Sequence, residues 1–99
     1  MKQLQKLNKL QLVKLLDAIN REGLENDQWS MYSNDLDWNA EQVFGMENSE
    51  EEFECGDYVF VYYQDKYEIS IVLEACEKYN IPQFNFHIED DLFVLIFKF

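Results

Sequence analysis

The segment Leu92-Phe93-Val94-Leu95-Ile96-Phe97 is apolar at every position. A half-exposed strand alternates apolar and polar side chains, and this run has no polar side to offer water. It therefore predicts a strand covered on both faces and central in its sheet. The run is far too short to cross a bilayer. Its existence demands neighbouring strands and a packed layer, which the rest of the chain must supply.

The neighbours are legible. Phe84, Phe86 and Ile88 alternate with Asn85 and His87, which predicts a strand with one polar face, and Glu89-Asp90-Asp91 supplies a short turn into the apolar run. Tyr58-Val59-Phe60-Val61-Tyr62-Tyr63 is rich in β-branched and aromatic residues and reads as a further strand. It comes after a break at Cys55-Gly56-Asp57, before which a strand begins near Glu51 or Phe53. Two helices complete the set. The first, at about 9–22, has Asn8 as N-cap, Gln11 closing a capping box, and Leu7 and Leu12 in the staple positions. Leu12, Leu15, Leu16 and Ile19 form its apolar stripe, and Gly23 ends it. The second opens at Asp65 with Glu68 closing a capping box, and it buries Ile69, Val72, Leu73 and Cys76. Asn80 in a left-handed conformation and then Pro82 stop it. Residues 25–50 carry fewer signals: Asp37 or Asn39 caps a short helix through Phe44, with an exposed acidic loop after Gly45.

The fold class expected is α+β, a two-layer single domain over residues 1–99. Its order is an N-terminal helix, an irregular acidic segment, then β-α-β-β, with a mixed or antiparallel sheet packed on the helices. With 99 residues, one hydrophobic core fits and two do not. Apolar residues make up 47% of the chain, enough to exclude intrinsic disorder at a net charge of −12.

That charge is unevenly spread. Residues 22–65, a stretch of 44, hold 13 carboxylates and no lysine or arginine. A stretch of one sign projects a field that no nearby cation short-circuits. Residues 1–21 carry a local +4 from Lys2, Lys6, Lys9, Lys14 and Arg21 against Asp17. Those cations read as a solvated helix face that offsets part of the acidic surface. The overall sign argues against direct binding of nucleic acid or anionic lipid. No apolar leader is visible, so Cys55 and Cys76 are read as reduced thiols of a cytoplasmic protein.

Recognisable chemistry is sparse. His87 is the sole histidine, on the polar side of its strand, and no nucleophile or carboxylate motif surrounds it, so a structural or surface role is expected. The segment Asp35-Leu36-Asp37-Trp38-Asn39-Ala40-Glu41 spaces oxygens like a calcium loop. Ala40 stands where glycine is needed, however, and Met46 where a bidentate glutamate closes such a loop. Gly23, Gly45 and Gly56 are isolated, and two cysteines with one histidine make no zinc pattern. Neither cofactor nor metal is expected, and the chain reads as no enzyme.

The most distinctive cluster is Glu50-Glu51-Glu52 with Glu54 and Asp57. On a strand, Glu50, Glu52 and Glu54 share a face at a spacing of about 6.5–7 Å, comparable to successive phosphates along a nucleic-acid strand. Such a row suits the phosphate-binding cations of a nuclease; it equally suits solubility and protection of a sheet edge. Trp29, Tyr32 and Trp38 add aromatic anchors of the kind that dominate interfaces, although core burial accounts for at least one tryptophan.

In charge, size and α+β character, the chain resembles small acidic inhibitors of nucleic-acid-handling enzymes. These include phage DNA mimics that act as anti-CRISPR or anti-restriction proteins, and immunity proteins that neutralise nuclease toxins. The expected partner is a basic protein with a nucleic-acid-binding groove. The expected contacts are Glu50, Glu51, Glu52, Glu54 and Asp57, then Asp35, Asp37 and Trp38. The alternative is a structural or regulatory interaction module whose charge is only solubilising.

Overall fold

The computed structural model describes residues 5–33 and 57–99. They form an α+β domain in which a four-stranded antiparallel sheet packs against two helices. The elements are α1 (Lys9–Glu22), β1 (Trp29–Ser33), β2 (Asp57–Tyr63), a 3-10 turn (Lys66–Ile69), α2 (Ser70–Lys78), β3 (Phe84–Glu89) and β4 (Leu92–Lys98). The strand order is β1-β2-β4-β3. The all-apolar strand β4 thus lies between β2 and β3, as its sequence requires.

Register explains why β4 needs no polar residue. Val59, Val61 and Tyr63 pair with Phe97, Leu95 and Phe93, and these six point toward the helices. Phe60 pairs with Ile96, and Tyr62 with Val94, on the opposite face. There Tyr58, Phe60, Val94 and Ile96 form a second buried cluster, with Tyr62, Phe84, Phe86 and Ile88 packed around it. Both faces of the two central strands are therefore buried. The polar side of β3 faces the helix layer but lies beyond the helices at the sheet edge. Asn85 there accepts a 2.9 Å hydrogen bond from the Tyr63 hydroxyl.

The helices obey their punctuation. Asn8 and Gln11 form the reciprocal capping box, and Gly23 ends α1 in the left-handed region at φ 76°. Leu15, Ala18 and Ile19 are buried from α1, and Val72, Ala75 and Cys76 from α2. Two side chains of α1 also serve α2. The Gln11 amide donates to the carbonyls of Tyr79 and Asn80 at 3.2 and 3.1 Å, and Glu22 Oε2 accepts from the Ile71 amide at 2.7 Å. Each end of α1 thereby satisfies backbone groups that the opposite end of α2 leaves open. The two helices are locked antiparallel.

Two details differ from the sequence expectation. Asp65 does act as a cap, accepting from the Tyr67 amide at 2.9 Å, but the residues after it form a 3-10 turn, and the α-helix begins at Ser70. Glu22, a carboxylate from α1, supplies an N-terminal acceptor to the Ile71 amide one turn after the Asp65 cap. The second difference is β1. Trp29 pairs with Val61 and Met31 with Val59, adding an edge strand inside a segment whose pattern predicted none. The short helix ending near Phe44, the loop after Gly45 and the strand start near Glu51 or Phe53 lie outside the described residues.

Candidate functional site

Strand register decides which charged turns meet. Gln28 and Trp29 enter β1 opposite the end of β2, because Trp29 pairs with Val61 and the Tyr62 amide donates to the Gln28 carbonyl at 2.7 Å. Tyr63 ends β2 opposite Phe93, and His87 near the end of β3 also pairs with Phe93. The α1–β1 turn, the β2–α2 turn and the β3–β4 turn therefore emerge at one end of the sheet. Strands lie about 4.8 Å apart, so the four of them carry these turns across about 14 Å.

All three turns are acidic. Glu25 and Asp27 occupy the first, Asp65 and Glu68 the second, Asp90 and Asp91 the third, and all six are exposed. Local chemistry fixes their placement. The Glu25 carbonyl accepts from the amides of Gln28 and Trp29, closing the first turn. Asp65 caps the 3-10 turn, and Asp90 adopts a positive φ of 42° in the tight β3–β4 connection. Lys66 is the one lysine or arginine within these turns. None of the six carboxylates takes part in an ion pair among the described residues; the pair that forms there joins Arg21 to Asp17 on α1 at 3.2 Å. Between Asp65 and Glu68, Tyr67 is 87% exposed, an aromatic ring standing in a carboxylate rim.

The other described lysines gather toward the other end. The Leu7 amide donates to the Lys98 carbonyl at 2.7 Å, so the start of α1, with Lys6 and Lys9, lies beside the last residues of β4. Lys14 and Lys78 sit 5.4 and 5.5 Å from the centre of the Tyr79 ring, near the C-terminus of α2, where cations complement the helix dipole. Among the described residues, charge is unevenly spread along the strands. The groove between α1 and α2, about 570 Å³, mixes Lys14, Arg21 and Lys78 with Asp17, Glu74 and Glu77 and has no dominant sign.

This arrangement divides the acidic run of the sequence. Asp57 opens β2 opposite Ser33, next to the Tyr58–Lys98 pair, whereas Asp65 comes just after the far end of the same strand. Glu22 is engaged at the N-terminus of α2, with Oε1 also 3.4 Å from the Ser70 hydroxyl. Glu50, Glu51, Glu52, Glu54, Asp35, Asp37 and Trp38 lie outside the described residues. Trp29 packs against the main core as a partly buried ring. In return, Glu68, Asp90 and Asp91 join the carboxylates of the run at the sheet end. Contiguous charge in the sequence did not point to them; the recurrence of acids in turns would have, once the strand order was known.

His87 is exposed and stacks on Phe93 at 4.8 Å between ring centres, and its Nε2 donates to the Asp90 carbonyl. The ring braces the β3–β4 turn. Cys76 is buried in the helix layer, and burial pushes its thiol from 9.0 up to about 12. A thiol so placed is inert rather than nucleophilic. Among the described residues no group of three or more histidine, cysteine, aspartate or glutamate side chains is arranged to hold a metal ion, and no helix is long and apolar enough to cross a membrane. Compared with protein-family models, with curated proteins and with solved structures, the chain matches none.

Proposed function

We propose that this protein is a non-enzymatic, cytoplasmic inhibitor that occupies the basic nucleic-acid-binding groove of a nuclease or another DNA- or RNA-handling enzyme. The observation that carries the reading is the acidic sheet end. Glu25, Asp27, Asp65, Glu68, Asp90 and Asp91 share it free of ion pairs among the described residues, and Lys66 is the one described lysine not held toward the opposite end. A predominantly negative field, six carboxylates against Lys66, steers a cationic groove toward that end and raises the association rate. Tyr67 supplies the apolar contact that a carboxylate rim surrounds in tight interfaces. The sequence cluster Glu50, Glu51, Glu52, Glu54 and Asp57, with Asp35, Asp37 and Trp38, is proposed as a second part of the contact set, and Asp57 stands at the end of β2 opposite the acidic turns.

The test is capture from host lysate at low and at high salt, with subsequent displacement by duplex DNA. The reading expects a basic partner held at low salt, released by salt and by DNA, and inhibited while bound. Changing Glu50, Glu51 and Glu52 to lysine is expected to abolish capture with the fold intact; wild-type affinity in that variant removes the cluster from the contact set. A partner retained at high salt and indifferent to DNA refutes the whole reading.

A second reading has one specific observation in its favour. Leu10 and Val13 are 57% and 51% exposed on the outer face of α1. An interaction module using this apolar pair binds its partner independently of salt, and Leu10→Ser with Val13→Ser separates the two readings.

A further inference from the structure

Two patches of exposed apolar surface lie at opposite ends of the helix layer, one rimmed by cations and the other by carboxylates. On α1, Leu10 and Val13 stay 57% and 51% exposed in the folded chain, while Leu15, Ala18 and Ile19 of the same helix are buried. A helix turns by about 100° per residue, so Lys9 and Lys14 stand about 140° apart around its axis with Leu10 and Val13 between them. Lys14 also stands over the Tyr79 ring. Asp17, one turn beyond Val13, is already paired with Arg21 at 3.2 Å. This patch is apolar at its centre and basic at its rim.

The second patch reverses the rim. Tyr67 is 87% exposed on the 3-10 turn before α2, between Asp65 and Glu68, and Lys66 is the one cation in that turn. The Tyr67 amide donates to Asp65 Oδ1 at 2.9 Å, so the ring is presented from a capped turn. Glu22, in the last turn of α1, accepts from the Ile71 amide, which sets the Tyr67 turn beside the C-terminus of α1. Leu10 and Val13 lie in the first turns of the same helix.

We infer that Tyr67 of one copy of this chain docks on the Leu10–Val13 strip of a second copy, with Asp65 and Glu68 reaching Lys9 and Lys14. Both layers of the contact favour this occupant. Apolar groups meet at the centre, and acid meets base around them, the arrangement of an aromatic anchor inside a polar rim. The net charge of −12 does not forbid the contact. At an ionic strength of about 0.15 M the screening length is about 8 Å, so charges on the bodies of two copies are damped while charges in contact are not. The two patches differ and stand at opposite ends of α1, so the contact is heterologous and adds copies in a row. It does not rest on the proposed function. Where that function holds, assembly covers Tyr67 and its carboxylates, so self-association and target binding compete for the same end of the sheet.

Sedimentation velocity at physiological salt, from micromolar to near-millimolar concentration, tests the contact. The samples are the wild type, Tyr67→Ser, Leu10→Ser with Val13→Ser, and an equimolar mixture of the two variants. All three positions are exposed, and circular dichroism checks the fold of each variant. The wild type is expected to sediment faster as concentration rises and to pass the size of a dimer. Each variant alone is expected to remain monomeric, because it lacks one half of the contact. The mixture is expected to associate again and to stop at two copies, since each variant keeps the patch that its partner needs. General damage to the fold gives no such rescue. A wild type that stays monomeric or stops at a dimer, a variant that assembles alone, or a mixture that stays monomeric or grows past two copies overturns the inference.

Discussion

Glu22 offers the sharpest test of how the helix layer is held together. Counted by charge alone it belongs to the acidic surface, and its removal should then matter little. The structure gives it another task. The residue preceding α2 is Ile69, which offers no side-chain acceptor, and the Ile71 amide is satisfied by Glu22 Oε2 at 2.7 Å across a separation of 49 residues. Loss of an N-terminal cap costs about 1 kcal/mol, within a range of about 0.5–2. Loss of an anion at a helix N-terminus adds about 0.3–1 kcal/mol. Glu22→Ala is thus expected to destabilise the protein by about 2 kcal/mol, which lowers Tm by about 10 °C for a domain of this size. Glu22→Gln keeps an acceptor and gives up the charge, so about a third of that loss is expected. Glu25→Ala, at an exposed turn position, should stay within about 0.5 kcal/mol of the wild type. Urea unfolding monitored by tryptophan fluorescence reads all three. A Glu22→Ala variant as stable as Glu25→Ala would refute the cross-helix cap.

Other outcomes are expected at particular sites. Gly23 sits at φ 76°, and a Cβ added there meets nothing within 4 Å, so Gly23→Ala should lose only the left-handed backbone penalty. That penalty is about 1–2 kcal/mol in the same urea assay. Cys76 in the folded protein should resist iodoacetamide at pH 8, judged by mass spectrometry on a Cys55→Ser background; rapid labelling would contradict its burial. Its thiol titrates at about 12 when folded against an ordinary 9.0, a raised value. The stability it contributes is therefore whole below 9.0 and declines as pH climbs toward 12. Cys76→Ala should flatten that alkaline decline.

The sequence announced some elements loudly because their causes are local. The Asn8–Gln11 capping box, Gly23 as a left-handed stop, and Asn80 at φ 51° before Pro82 each act within a few residues of themselves, and all stand where expected. β4 was legible for a different reason: no exposed strand can be apolar at every position. The illegible parts depend on contacts distant in sequence. β1 is a five-residue strand whose partner, Asp57–Tyr63, lies about thirty positions away, and no strand was expected there. The acceptor at the start of α2 comes from Glu22, which no window around Asp65 contains. The candidate site shows the same limit. Asp57 and Asp65 are close in the chain and stand at opposite ends of β2, while Glu25, Glu68 and Asp91 are far apart in the chain and share one end of the sheet. Contiguous charge is a poor guide to a patch once strands reverse direction.

The acidic sheet end is most directly tested by measuring the association rate with the captured partner across ionic strength. The comparison is between the wild type and a variant carrying Asp65→Asn, Glu68→Gln, Asp90→Asn and Asp91→Asn. Electrostatic steering predicts a rate for the wild type that falls steeply as salt rises, and a variant that starts slower with a much shallower slope. Identical rates and slopes for the two proteins would contradict the assignment of that end as the docking face.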